Sequence, residues 1–149
     1  MSPEYAMEGV FSIKSDVFSF GVIILEIISG RSKNSFSEPH FSDDIRAFAW
    51  AKWKEEKTLE FLETSLRGNY SENEVVRSIQ IALLCVQDDP NERPTMTEIV
   101  SYFNSSSEEV PLPQEPILSK SKKMEYMTSK SHSINDSINE LSVSTFLPR

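Results

Sequence analysis

The chain has 149 residues, a net charge of -8 at pH 7 and a single cysteine, so it can form one ordinary domain with an extra segment but no internal disulfide. An acidic chain without clustered Lys and Arg lacks the charge pattern of a nucleic-acid-binding protein, so no nucleic-acid partner is expected. The longest apolar stretch, residues 17–28, is interrupted by polar residues and is shorter than the ~20 residues that a membrane-spanning helix needs. We therefore expect no membrane span in this chain.

The first predicted element is a helix that is apolar on nearly all sides. Ser15 and Asp16 precede the apolar stretch as capping residues, and Gly30 follows it, where helices often end in the left-handed conformation. Such a helix is typical of the middle of a fold, where other elements cover it. The stretch between Arg31 and Phe41 is rich in Ser, Asn and Pro and is predicted to be a surface loop.

Three further helices follow. Residues 45–57 carry apolar side chains at helical spacing with Lys and Glu largely opposite, which predicts an amphipathic helix. Ser71 and Glu74 form a capping-box pattern before a second helix, which an Asp-Asp-Pro-Asn cluster ends. Thr95 and Glu98 form another capping box before a short third helix.

After Asn104 the composition changes to polar residues with several prolines. A segment with so few apolar side chains cannot offset its ordering entropy, on the order of 1 to 2 kcal/mol per residue. We predict a domain of residues 1–104 and a disordered tail of residues 105–149. Residues 134–147 alternate apolar and polar in places, so a transient strand or a partner-binding peptide is the alternative to an unstructured end.

The residue types that usually carry chemistry form no catalytic or metal-binding pattern. Cys85 lies inside an apolar run, where a cysteine behaves as a small core side chain. His40 and His132 have no partners at the spacing that a metal site or an activated nucleophile needs. Adjacent acids such as Asp43 and Asp44 are typical solvated caps. No catalytic, cofactor-binding or metal-binding residue is therefore assigned.

Four motifs follow one another along the chain. They are Ser2-Pro3-Glu4, the segment Lys14-Ser15-Asp16-Val17-Phe18-Ser19-Phe20-Gly21, the segment Leu25-Glu26-Ile27-Ile28-Ser29-Gly30, and Asn91-Glu92-Arg93-Pro94. In this order and spacing they resemble the C-terminal part of the kinase domain of a plant receptor-like serine/threonine kinase, of the S-domain (lectin-type) or cysteine-rich receptor-like subgroup. The resemblance implies a mainly α fold: a partial protein-kinase C-lobe, with the end of the activation segment and helices equivalent to the last four of the lobe.

The resemblance also implies roles for particular residues. The motif at residues 2–4 corresponds to the end of the activation segment, and Glu4 is expected to form an ion pair with Arg93 that locks this segment onto the lobe. Losing one partner of such a buried pair costs roughly 3 to 5 kcal/mol. Asp16 and Gly21 match the motif of the central helix, where the aspartate normally accepts hydrogen bonds from the catalytic loop. A simple N-cap role is the alternative for Asp16, and Gly21 fits close packing.

The parts of a kinase that bind ATP and transfer phosphate do not occur in this sequence. It has no Gly-rich loop, strand lysine, His-Arg-Asp loop or Asp-Phe-Gly motif. Full-length members of the family use ATP and Mg²⁺ and are anchored in the plasma membrane, so the resemblance implies a location on the cytoplasmic side and no cofactor in this chain. Because Met1 directly precedes Ser2-Pro3-Glu4, we expect a truncated product or gene model that is inactive alone.

A non-catalytic binding or decoy module is the alternative function. The helix around Trp50 and Trp53, together with the Ser-rich tail, could dock full-length receptor kinases or their substrates. A central helix without its usual covering would also expose apolar area that tends to find partners. The tail serines are candidates for phosphorylation by another kinase. An unrelated small helical protein with accidental motifs is the third interpretation.

Overall fold

The structure, a computed structural model, describes residues 2–3, 12–31, 41–66 and 68–117 and, farther on, 120–121, 124–125 and 127–128. Its main helices are α1 (Ile13–Ser29), α2 (Phe41–Lys54), α3 (Glu72–Cys85) and α4 (Met96–Asn104), with 3-10 turns at Thr58–Phe61, Thr64–Leu66 and Pro90–Glu92. These described ranges contain no strand, and the predicted mainly α fold is confirmed. None of the helices described is long and apolar enough to cross a membrane.

Helix α1 lies against both α2 and α3. Its N-cap is Ser12, whose hydroxyl accepts a hydrogen bond from the N–H of Ser15 at 3.3 Å. The predicted cap at Ser15 or Asp16 is therefore wrong: the helix begins earlier because the Ser12 hydroxyl already satisfies a free N–H of the first turn. The predicted end is confirmed, since Gly30 has a φ of 65° and donates its N–H to the carbonyl of Ile27.

The other helix starts differ in how well the sequence predicts them. Helix α2 begins at Phe41 and ends at Lys54, so it lies earlier in the chain than the predicted range 45–57. Ser71 is the N-cap of α3, but its side chain makes no capping hydrogen bond, so the predicted capping box is wrong. The acids of the first turn of α3 still interact favourably with the positive end of the helix dipole.

The predicted capping box of α4 is confirmed. The N–H of Glu98 donates to the Thr95 hydroxyl at 3.2 Å, and the N–H of Thr95 donates to the Glu98 carboxylate at 2.7 Å. The Glu98 carboxylate accepts this backbone hydrogen bond and a second one from the Thr95 hydroxyl at 2.9 Å, and the two hold the pKa of the Glu98 carboxyl below its ordinary value. The reciprocal pair fixes where α4 begins after the loop that follows α3.

The apolar core has two clusters that share α1 and α3. The larger comprises Phe18, Leu25, Ile45, Ala49, Phe61, Ile79, Ala82, Leu83 and Val86. The smaller comprises Val17, Ile81, Leu84, Cys85, Ile99, Tyr102 and Val110. Cys85 is fully buried within it, which confirms its interpretation as a core side chain.

The segment of residues 105–116, here called the strap, is ordered against the helical domain. The first compact unit of the chain ends where the strap ends, so the predicted boundary after Asn104 falls inside this unit. Arg77 donates hydrogen bonds from Nη2 to the carbonyls of Ser105 and Glu108, each at 2.7 Å. Helix side chains therefore satisfy backbone carbonyls of the strap, a segment that the sequence predicts to be disordered.

The second compact unit comprises residues 117–149. Its described residues, between 117 and 128, are helical. Within this unit the Ser121 hydroxyl donates to the carbonyl of Ile117 at 3.3 Å, and the Thr128 hydroxyl donates to that of Met124 at 2.9 Å. The predicted alternation at 134–147 and the predicted surface loop at 32–40 lie outside the described residues.

Candidate functional site

The loop between α3 and α4 contains a buried arginine, Arg93. Asp89 begins the turn at Pro90–Glu92, and its carboxylate accepts a hydrogen bond from the N–H of Asn91 at 2.8 Å. This turn directs Arg93 inward, where only 2% of the residue is exposed. A guanidinium so far from water needs hydrogen-bond acceptors around it.

Backbone carbonyls supply these acceptors. Arg93 donates from Nε to the carbonyl of Gln87 at 2.7 Å, from Nη1 to that of Lys14 at 2.9 Å and from Nη2 to that of Asp88 at 3.2 Å. Lys14 returns a hydrogen bond from Nζ to the Arg93 carbonyl. The start of α1 and the loop after α3 are 79 residues apart in sequence at this contact, and Arg93 joins them.

A second buried arginine lies beside the first. Arg46 of α2 is also only 2% exposed. Its Nη1 donates to the Val86 carbonyl at 3.1 Å and to the Asp88 carboxylate at 2.9 Å. The ring of Phe18 is shared: its centroid lies 5.2 Å from the guanidinium carbon of Arg46 and 4.9 Å from that of Arg93. Both distances fall within the range of cation–π attraction.

The end of α3 accounts for this concentration of positive charge. The carbonyls of Val86, Gln87 and Asp88 follow directly after the last helical residue, where the helix dipole is negative. Carbonyl oxygens and one carboxylate thus hold two cations in a region with little water. The same burial raises the pKa of Cys85 to about 12, and the charge of Arg93 opposes this rise.

The predicted site residues are distributed as follows. Ser2 is buried, and its hydroxyl has no hydrogen-bond partner among the described residues. Glu4 lies outside the described residues, so its pairing with Arg93 stays a prediction. Asp16 is exposed in the first turn of α1. Gly21 is buried where α1 crosses α3.

Sequence reasoning missed Arg46 and assigned Asp88 only to the end of a helix. A signal for Arg46 was available, because it falls on the apolar side of α2 between the buried residues Ile45 and Ala49. A charged residue in an apolar register is buried with a partner more often than it is left alone. Which partner it finds cannot be read from spacing, since Asp88 is 42 residues away.

The sequence assigns no ATP-binding or Mg²⁺-binding residue to this chain, and that assignment stays a prediction. In the ranges that the structure describes, no group of three or more His, Cys, Asp or Glu side chains could hold a metal ion. The arginine site offers donors that are already occupied by backbone carbonyls. Its geometry is that of a structural anchor that joins distant segments.

A family model and a solved structure match this chain. Residues 1–103 match the family model described as protein tyrosine and serine/threonine kinase. The fold is also that of the pseudokinase domain of BIR2, an immune regulator of the RLK/Pelle family, with a TM-score of 0.60 and 21% identity over 77% of this chain and 38% of that one. The chain therefore belongs to the protein kinase family.

Relatives from Arabidopsis thaliana place the chain, within that family, among the plant receptor-like serine/threonine kinases. Cysteine-rich receptor-like protein kinase 25 is 47% identical over 76% of this chain and 17% of its own length. Cysteine-rich receptor-like protein kinase 34 is 42% identical over 100% of this chain and 23% of its own length. A G-type lectin S-receptor-like serine/threonine-protein kinase is 45% identical over 78% of this chain and 14% of its own length. The chain spans about a fifth of the length of the cysteine-rich relatives.

Proposed function

We propose that this chain is the non-catalytic, helical part of a receptor-like kinase domain that acts in signal transduction. In a complete domain it would anchor the end of the activation segment, and alone it would transfer no phosphate. The observation that carries this proposal is the buried Arg93, which joins the start of α1 to the loop after α3. The proposed location is the cytoplasmic side of the plasma membrane, as the naming of its relatives as receptor-like kinases suggests.

The anchor proposal includes the predicted ion pair between Glu4 and Arg93. A carboxylate that approaches a guanidinium already oriented by backbone carbonyls loses little further entropy on binding, so the pair would hold the segment in one position. The buried side chain of Ser2 supports a fixed path for the chain near residues 2–3. Phosphate transfer needs groups that bind the nucleotide and orient the hydroxyl, and the sequence contains none of the four motifs that supply them in this family.

A phosphotransfer assay tests this proposal. The purified chain is incubated with radiolabelled ATP, Mg²⁺ and a general protein substrate, with an active receptor-like kinase as the positive control. We expect incorporation equal to the blank without enzyme. Transfer that depends on ATP, co-elutes with the chain on size exclusion and scales with its concentration would contradict the proposal.

The exposed apolar side chains of α1 favour the second candidate function, a binding or decoy module. Ile13, Ile23 and Ile27 are 75%, 50% and 66% exposed. At 3.6 residues per turn they fall within one side of the helix, and three large apolar side chains together are more than scattered surface residues explain. The proposed partner is the kinase domain of a full-length receptor-like relative.

This candidate has its own test. Purified kinase domain of a receptor-like relative is titrated into the chain, and binding is measured by calorimetry. The double variant Ile23→Lys and Ile27→Lys should weaken binding at least about tenfold, the effect of losing roughly 1.4 kcal/mol. The control Ser106→Lys, exposed in the strap and outside α1, should bind as the unaltered chain does. Absence of binding by the unaltered chain would eliminate the decoy function.

A further inference from the structure

The last seven residues of the strap have a burial pattern with a period of three. Val110, Pro113 and Pro116 are buried, whereas the residues between them are exposed or half-buried, and Leu112 is 78% exposed. This segment has no helical or strand structure and contains three prolines. A side chain that returns to the same face every third residue is the signature of the polyproline II helix.

Two glutamine side chains hold the backbone of this segment. Gln80 of α3 donates from Nε2 to the carbonyls of Val110 at 2.8 Å and Pro111 at 2.9 Å. Gln87, in the loop just after α3, donates from Nε2 to the carbonyl of Gln114 at 3.3 Å. Because proline has no N–H, a proline-rich chain offers mainly carbonyls, and side-chain amide donors match that chemistry.

Aromatic side chains of α2 line a cavity beside the strap. A cavity of about 640 Å³ between α2 and the strap is lined by Trp50, Trp53, Val76, Leu112 and Pro113. Tryptophan beside proline is the usual composition of a site that recognises polyproline II peptides. The strap does not fill this cavity, so the cavity can accept more apolar surface than the strap presents.

We propose that the surface under and beside the strap that carries Trp50, Trp53, Gln80 and Gln87, here called the groove, is a polyproline II recognition site, that the strap is its tethered ligand, and that a proline-rich peptide with the same V-x-x-P-x-x-P spacing binds there in trans when the strap leaves. The occupant is defined by the segment that already lies in the groove. This inference does not rest on the proposed kinase function, because it uses the side chain of Gln87, whereas Arg93 binds only the backbone carbonyl of that residue.

The tether determines what an experiment should see. A ligand joined to its site by a short linker has an effective concentration on the order of millimolar. The unaltered chain should therefore bind a free peptide weakly, and a chain with a weakened strap should bind it more tightly. The strap sequence itself supplies the probe: an acetylated, amidated peptide Val-Pro-Leu-Pro-Gln-Glu-Pro with a fluorophore.

Two variants separate groove contact from proline content. Pro113→Ser removes a buried proline, and Pro111→Ser removes an exposed one, so both lose the same ring but only the first loses groove contact. We expect the Pro113→Ser chain to bind the probe at least about tenfold more tightly than the unaltered chain or the Pro111→Ser control. A peptide of the same composition with its prolines adjacent should bind to none of them. Equal affinity of the two variants for the probe would overturn the proposal.

A second measurement does not depend on a weakened strap. A fluorophore on Leu112→Cys reports strap motion, because this position is exposed and the buried Cys85 stays unlabelled. Adding unlabelled strap peptide at millimolar concentration should lower the fluorescence anisotropy of the label, and the rearranged peptide should not. Unchanged anisotropy with both peptides would overturn the proposal even if Pro113→Ser failed to fold.

Discussion

Substitution of Gly21 by alanine sets two physical effects of opposite sign against each other. In an unconstrained helix the change would stabilise the protein by about 1 kcal/mol, because glycine is the poorer helix former. At this position an added Cβ would lie 2.6 Å from the Cβ of Cys85 and 2.8 Å from Cγ1 of Val86. Helix propensity and packing therefore predict opposite changes in the free energy of unfolding.

The distances indicate that packing prevails. Carbon atoms in contact are normally about 3.5 to 4 Å apart, so α1 and α3 would have to separate by about 1 Å. Cys85 Cβ is attached directly to the backbone of α3 and cannot rotate away. Overpacking of this kind costs about 1 to 3 kcal/mol. With the upper end of that range and the gain in propensity, we expect Gly21→Ala to lower the free energy of unfolding by about 2 kcal/mol.

Urea unfolding followed by tryptophan fluorescence measures this loss, because both tryptophans lie in α2 near the groove. A loss of about 2 kcal/mol corresponds to a midpoint lower by roughly 1 M urea for a slope near 2 kcal/mol/M. The control Ser19→Ala, on the exposed side of the same helix, should change the free energy by no more than about 0.5 kcal/mol. A Gly21→Ala chain that is more stable than the unaltered one would refute the close approach of α1 and α3.

Three further predictions concern the anchor, the capping box and the cysteine. Arg93→Ala should destabilise the chain by roughly 3 to 5 kcal/mol in the same urea assay, and an exposed-site Arg31→Ala control by no more than about 1 kcal/mol. Thr95→Ala should cost about 1 kcal/mol. The folded-state pKa of the Glu98 carboxyl is lowered. The stability that its ionised form contributes is therefore present above the ordinary carboxyl pKa and is lost as the pH falls through the folded-state pKa. If the loss of stability caused by Thr95→Ala does not shrink in acid, this reasoning is contradicted. With its pKa raised to about 12, Cys85 should react with a thiol reagent at pH 8 at least about a hundredfold more slowly in the folded chain than in urea.

The sequence predicted best those features that depend on nearby residues. Gly30 ends α1 because the left-handed conformation is a property of that one position. The box of Thr95 and Glu98 is a contact between residues three apart. Ser71 and Glu74 have the same spacing, yet no side-chain hydrogen bond forms at Ser71. Spacing therefore permits a capping box, but side-chain rotamers decide whether it forms.

The strap was missed because its order comes from outside the segment. Its own composition gives no reason for burial, and the entropy argument from composition is sound for an isolated peptide. The donors that hold it, Arg77 and Gln80 on α3 and Gln87 just after it, lie about 30 residues earlier. Arg77 and Gln80 are three residues apart, so they share one side of the helix. The available signal was the presence of the long polar side chains of Arg77 and Gln80 on a largely buried helix. This signal predicts a contact only when a segment with free backbone carbonyls is known to lie beside the helix.

The anchor and the close helix contact depend on the same end of α3. Val86 would meet a side chain at position 21, and its carbonyl also accepts the hydrogen bond of Arg46. Separating α1 from α3 therefore moves a carbonyl that holds one of the two arginines at Phe18. Because Arg46 and Arg93 lie over the same Phe18 ring, the effects of Gly21→Ala and Arg93→Ala on the free energy of unfolding should not be additive. Buried charge at this site is tolerated only while α1, α2 and the end of α3 keep their close approach.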